Sequence, residues 1–311
     1  MQPSRRDVLS TIGAASVLPI LSSCLSTVEL TAAENDSPLI ATNSYPWFTF
    51  ARRDDRAFDT FADQQLSEVA STGIKGYEPI VKQVADVEGL ADRLSQNGLT
   101  MRSIYVNSTL HDESKVQQSM QSVLEIASAA AKLGVQIIVT NPAPIRWGSD
   151  EDKSDAQLRQ QAKSLDQLGA ALRKQGQQLA YHNHDAELRQ GGREFHHMLT
   201  ATDPANVKLC LDAHWIFRGC GDSAIAVQDA VSHYHQRIVE LHLRQSTAGV
   251  WNEVFAMKGD LDYTALLAYL AKRGITPHLV LEQAIEEKTP KALSAVEAHR
   301  QSQANLLRAV S

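Results

Sequence analysis

The chain has little of several features that mark common classes of protein. It has no cluster of lysine and arginine, and its formal net charge is -6, so it lacks the basic surface that binding of nucleic-acid phosphates requires. It shows no internal repeat, no low-complexity tract and no glycine-rich loop to hold a phosphate. Only Cys210 and Cys220 lie beyond the N-terminal region, and a disulfide between them is feasible but unnecessary for a chain of 311 residues. These absences argue against nucleic acid as a partner and leave an ordinary globular protein.

A long hydrophobic run is missing too. The N-terminal segment VLSTIGAASVLPIL has the length of a signal-peptide core and is too short to span a membrane as a helix. Arg5 and Arg6 precede it, and paired arginines in this place resemble a twin-arginine export signal. The following Leu-Ser-Ser-Cys resembles a lipobox, in which Cys24 becomes the lipidated first residue; the alternative is a small residue in an ordinary signal peptide.

We therefore expect a signal peptide over residues 1–24, a polar linker over 25–38 and a folded domain over 39–311. The protein would be exported by the twin-arginine route and would be periplasmic or a membrane-anchored lipoprotein. Its lipid anchor would be its only contact with the membrane. A homodimer is compatible with the sequence.

What the chain does contain is a regular alternation of two kinds of segment. Amphipathic stretches with helical spacing, several of them closed by glycine, separate eight short apolar segments that are typical of strands buried on both faces. The eight segments read LIATNSY, IKGYEPI, LTMRSIYV, VQIIVTN, QQLAYHN, VKLCLD, RIVELHL and HLVLEQ. This alternation predicts a single (β/α)8 TIM barrel that begins near Leu39.

Each of the last four strand segments ends in side chains that bind divalent metals. These side chains are His182, His184 and Glu187, then Asp212, then His242, then Glu282. A lone aspartate at a strand end is often only a helix cap, but the carboxyl ends of barrel strands all meet on one face. Four consecutive units with such ends therefore predict a metal site.

The motifs YHNHDAEL, LDAHW, ELHL and LEQ resemble the xylose isomerase-like superfamily of sugar-phosphate isomerases and epimerases. The resemblance implies a divalent ion, most often manganese and otherwise zinc, magnesium or iron, held by residues of the last four strands. It assigns Asp212, His242 and Glu282 as three ligands. His182 stands where the family usually has glutamate, and the nearest carboxylate is Glu187, so the fourth ligand is either of these two.

The same resemblance implies the chemistry. A bound cation would make the C–H next to a sugar carbonyl more acidic, and a carboxylate beside it would remove the proton. Glu282 is the expected base, with Glu187 and His184 as further catalytic candidates; His184 could instead orient a ligand. Members of this family have two opposed glutamate bases. If His182 replaces the first of them, this chain keeps only one carboxylate base, which suits one-sided chemistry such as elimination.

Substrate contacts are expected from five further residues. Glu78 matches a glutamate that is common after the second strand, although it could equally be a helix cap or a rim ion pair. Trp47, Trp147 and Trp215 follow strand ends, where an aromatic face could stack on a sugar, and core packing is the alternative for Trp215. Arg244 stands where relatives have lysine and could anchor a hydroxylated or anionic substrate.

Three functions remain in competition. The first is a metal-dependent isomerase or epimerase of a sugar. The second is a lyase or hydrolase that cleaves 3-keto-glycosides by β-elimination, which the predicted export favours because free sugar phosphates are cytoplasmic. The third is a sugar-binding lipoprotein without catalysis, although a simple binding site needs no metal-activating carboxylate.

Overall fold

The structure is a computed structural model that describes residues 39–310. The predicted signal peptide, the linker and Cys24 lie outside the described residues. Within them, eight parallel strands form one sheet. They are β1 (Ile40–Asn43), β2 (Gly76–Glu78), β3 (Ser103–Tyr105), β4 (Ile137–Thr140), β5 (Gln178–His182), β6 (Val207–Asp212), β7 (Ile238–Leu243) and β8 (His278–Leu281).

The sheet curls into a barrel. Its strand order is β2-β1-β8-β7-β6-β5-β4-β3, and the two end strands meet through bridges from Gly76 to Thr100 and from Ile80 to Tyr105. The Tyr105 amide donates to the Pro79 carbonyl over 3.0 Å, and this bond helps to close the ring. The prediction of a single (β/α)8 barrel is confirmed, with β1 starting at Ile40.

Helices fill the connections between strands. They are α1 (Ser44–Arg53), α2 (Asp63–Ser71), α3 (Leu90–Gln96), α4 (Val116–Ala131), α5 (Asp155–Lys174), α6 (Arg189–Thr200), α7 (Ala213–Gly219), α8 (Ala224–Tyr234), α9 (Tyr263–Ala271) and α10 (Ala295–Val310). Their ends follow local sequence signals: Ser154 and Gln157 form a capping box at α5, and Gly176 after α5 has a φ of +82°. None of the described helices is long and apolar enough to cross a membrane.

A short antiparallel hairpin, Ser246–Thr247 with Val250–Trp251, follows β7 and was not foreseen from the sequence. Positive φ angles at Ala248 (51°) and Gly249 (77°) form its two-residue turn. The hairpin carries Trp251 back over the end of β7. It thereby contributes one wall of the site.

The barrel interior changes character along its axis. One cluster of buried side chains comprises Tyr105, Ile137, Val139, Ala180 and Cys210. Side chains two apart on a strand share a face, and the positions two residues beyond Ala180 and Cys210 are the polar His182 and Asp212. The site is built from such polar positions, on the face where barrel strands carry their chemistry.

Candidate metal centre

The carboxyl ends of β5 to β8 bring four potential metal ligands together. Asp212 pairs with His242 across β6 and β7, and Glu282 follows β8 directly. One ligand atom each of His182, Asp212 and Glu282 lie within 4.8 Å of one another. His242 Nδ1 lies 3.1 Å from Glu282 Oε2, and its ring centroid is 4.6 Å from that of His182. All four side chains are buried.

Several polar atoms of this group have no hydrogen-bond partner among the described residues. They include both ring nitrogens of His182 and Oδ2 of Asp212, whose other oxygen caps α7 by accepting from the amides of His214 and Trp215. Buried polar atoms without partners are costly unless a ligand satisfies them. Imidazole nitrogens and carboxylate oxygens are ligands that divalent cations accept. The residues present therefore fit a divalent metal.

Arg244 lies beside the two carboxylates. Its Nη2 is 2.6 Å from Glu282 Oε2 and 3.4 Å from Asp212 Oδ2. Its guanidinium carbon stands 4.9 Å from the ring centroid of Trp215 and 4.5 Å from that of Trp251. Nε and Nη1 are buried without a partner in the described part of the chain. Arg244 is thus held through Nη2, and its Nε and Nη1 can still donate hydrogen bonds.

The pKa values of the two carboxylates are shifted in opposite directions. Burial would raise the pKa of Glu282, but His242 and Arg244 hold it well below its usual range. Burial raises the pKa of Asp212 to about 6, although Arg244 opposes the shift. Burial, with His242 and His184 nearby, lowers the pKa of His182. Glu282 is therefore ionised and His182 neutral at pH 7, the states in which both bind metals. Burial opposes the charge on His242, but Cys210, Glu78 and Glu282 raise its pKa well above the usual value, so metal binding there would release a proton.

Glu78 lies inside the barrel beneath His242. Its Oε1 is 3.0 Å from His242 Nε2 and accepts a hydrogen bond from Asn43 Nδ2 over 2.6 Å, and its Oε2 accepts one from Ser103 Oγ over 2.6 Å. Burial opposes ionisation, but His242 and the hydrogen bonds with Glu240 and Ser103 lower the pKa of Glu78 to about 2. It is neither a helix cap nor a rim ion pair, which corrects both of those alternatives.

Glu240 is a functional candidate that the sequence analysis missed. Its Oε1 lies 3.3 Å from His242 Nε2, and burial together with Glu78 raises its pKa to about 8. The signal was present, because residues two apart on a strand share a face and Glu240 precedes His242 by two. Cys210 donates to it over 3.4 Å and is a free thiol, as is Cys220, so the two form no disulfide.

Glu187 lies apart from the four ligands. Its Oε1 accepts from Asn141 Nδ2 over 3.1 Å and its Oε2 from the amide of His184 over 2.7 Å. It belongs to none of the groups of three or more close potential ligands within residues 39–310. The structure thus puts His182, rather than Glu187, beside Asp212 and Glu282.

The predicted aromatic contacts divide into two sets. Trp147 is 59% exposed, and its ring lies edge-on to His184 at 5.5 Å, while Trp215 lies 5.6 Å from His184 on another side. Burial lowers the pKa of His184 to about 4. Trp47 is instead 1% exposed and stacks on His299 of α10 at 4.1 Å. Its predicted substrate contact is corrected to core packing.

A model described as xylose isomerase-like TIM barrel matches residues 66–307. The chain belongs to this family. The (β/α)8 fold is the one that the alternation of segments predicted, and the family is the one that the motifs YHNHDAEL, LDAHW, ELHL and LEQ resemble.

Individual relatives are distant. An inosose dehydratase of Lacticaseibacillus casei is 24% identical over 242 residues, covering 71% of this chain and 81% of the relative. A 3-keto-D-glucoside 4-epimerase from E. coli has a TM-score of 0.61 at 18% identity, covering 87% of this chain and 99% of its own. A zinc-bound IolI protein has a TM-score of 0.62 at 16% identity, covering 88% and 98%. At these identities the solved structures establish the fold.

Proposed function

We propose that this protein is a divalent-metal-dependent enzyme that removes a proton next to a carbonyl group of a sugar or sugar derivative, in the manner of an isomerase or epimerase. The observation that carries the proposal is the convergence of His182, Asp212, His242 and Glu282, with unpartnered ligand atoms, at the carboxyl end of the barrel. His182 is the proposed fourth ligand. The names of the relatives, which are a sugar epimerase and an inosose dehydratase, support the substrate class.

A bound divalent ion would polarise a sugar carbonyl and make the neighbouring C–H more acidic. Glu282 is the proposed base. Its Oε2 is held by Arg244 and His242, and no hydrogen bond to its Oε1 is found within residues 39–310. Its lowered pKa keeps it ionised at neutral pH. Arg244 therefore fixes the carboxylate while one oxygen stays free to accept a proton.

Elimination is the second candidate reaction, and the residues opposite Glu282 favour it. A two-base epimerase needs a second base there, but the end of β5 and the loop after it supply the imidazoles of His182 and His184, and Glu187 is engaged elsewhere. A single carboxylate suits loss of a group β to the carbonyl, as in a dehydratase. Cleavage of 3-keto-glycosides belongs to this class, and the predicted export through the N-terminal signal would give access to such substrates.

The test combines metal analysis with isotope exchange. We expect the purified chain to bind one equivalent of a divalent ion and to exchange deuterium from D2O into an inosose, a ketose or a 3-keto-glucoside, as followed by NMR. Products that differ from the substrate at one stereocentre would identify an epimerase, and loss of water or of an aglycone would identify a lyase. Sugar binding without exchange by the metal-loaded protein would refute the catalytic proposal and support the non-catalytic binding protein.

A further inference from the structure

His182 is unlike the other three proposed ligands because no hydrogen bond orients it. It is fully buried, and neither ring nitrogen has a partner in the described part of the chain. Ring contacts fix it instead: Tyr105 at 5.5 Å, His184 at 4.9 Å and His242 at 4.6 Å between centroids. The ring is thus enclosed by three other rings, and both of its nitrogens are free to bind a cation.

Only two of the four proposed ligands are carboxylates. Asp212 and Glu282 are the two carboxylates, and Arg244 contacts both of them. A glutamate at position 182 would add a third negative oxygen ligand. The chain has an imidazole there, so the centre offers two nitrogens and two charge-compensated carboxylates.

Cations respond differently to this balance. Magnesium and manganese depend chiefly on anionic oxygen ligands, whereas zinc, cobalt and iron(II) gain more from imidazole. We propose that His182 is a selectivity determinant, which shifts this centre away from manganese and magnesium and towards zinc and related nitrogen-binding cations. The proposal rests on the metal centre proposed above and makes no claim about the reaction.

The measurement must be a change in a ratio, because sites of almost any composition prefer zinc to manganese. Affinities of the full chain for Zn²⁺ and Mn²⁺ would be measured by competition with a chromophoric chelator. We expect His182→Glu to lower the zinc-to-manganese affinity ratio by about tenfold or more, which corresponds to about 1.4 kcal/mol. His233→Glu is the matched control, since His233 is exposed on α8 and lies away from the centre. That variant should keep the wild-type ratio.

A second measurement needs no charge change. Pulsed EPR of the Cu²⁺-loaded wild-type protein counts coordinated imidazoles, and we expect two. His182→Gln, which is neutral and of similar size, should leave one. A single imidazole in the wild type overturns the proposal even if the glutamate variant does not fold. An unchanged ratio in a metal-binding His182→Glu protein also overturns it while the proposed function stands. Failure of the wild type to bind any of these ions would instead contradict the proposed function.

Discussion

Replacing Glu282 by glutamine removes a negative charge while keeping the length of the side chain and one oxygen ligand. In the structure Glu282 Oε2 lies 2.6 Å from Arg244 and 3.1 Å from His242, and the amide oxygen of glutamine could keep one of these contacts. We therefore expect a modest loss of stability, roughly 1–3 kcal/mol for a weakened buried hydrogen bond to a charged group.

The loss of turnover should be much larger. Glutamine cannot accept the substrate proton, and loss of a general base typically costs roughly 10²–10⁴-fold in rate. This corresponds to about 3–5 kcal/mol of activation free energy. The assay is the initial rate of deuterium exchange at saturating metal, with metal affinity and thermal unfolding measured on the same preparation.

Glu286→Gln provides the matched control. Glu286 also pairs with an arginine, Arg218, over 2.8 Å, but it lies outside the four-ligand centre and its side chain is 30% exposed. The control should exchange at nearly the wild-type rate. Full exchange and full metal binding by Glu282→Gln would refute this reasoning, and His184 would become the candidate base.

Three further outcomes are expected, two from the structure and one from the N-terminal sequence alone. The folded protein holds a proton on Glu240 up to about pH 8, whereas the ordinary pKa of a glutamate is 4.5. The metal-free protein should therefore lose stability as the pH rises from about 4.5 to about 8. Glu240→Gln should flatten this dependence of Tm on pH. Trp47→Ala should cost about 3–5 kcal/mol of stability because it leaves a cavity in the core. Trp147→Ala should leave Tm nearly unchanged and weaken sugar binding, which calorimetry would measure. Equal Tm shifts for the two variants would contradict these two placements. Cys24→Ala should release the exported protein from the membrane fraction, and lysines in place of the paired arginines should retain the precursor in the cytoplasm, as fractionation would test.

Much of the fold and part of the site followed from the sequence alone. Buried strands, amphipathic helices and capping residues such as Ser154 act locally, so their patterns are legible one segment at a time. The meeting of Asp212, His242 and Glu282 was also predictable. Parallel barrel strands end on a common face, and a residue at each strand end must lie there.

The tertiary structure decided the paths of the loops and the direction in which their side chains point. Glu187 is one short loop from His182, but the path of that loop turns its carboxylate to Asn141 and to the amide of His184. Trp47 and Trp147 both follow strands, and only packing against α10 sends the first into the core. Sequence spacing reports which face of an element a residue occupies. Which side chains then touch depends on loop paths and on the stagger between strands, which arise only when the whole barrel closes.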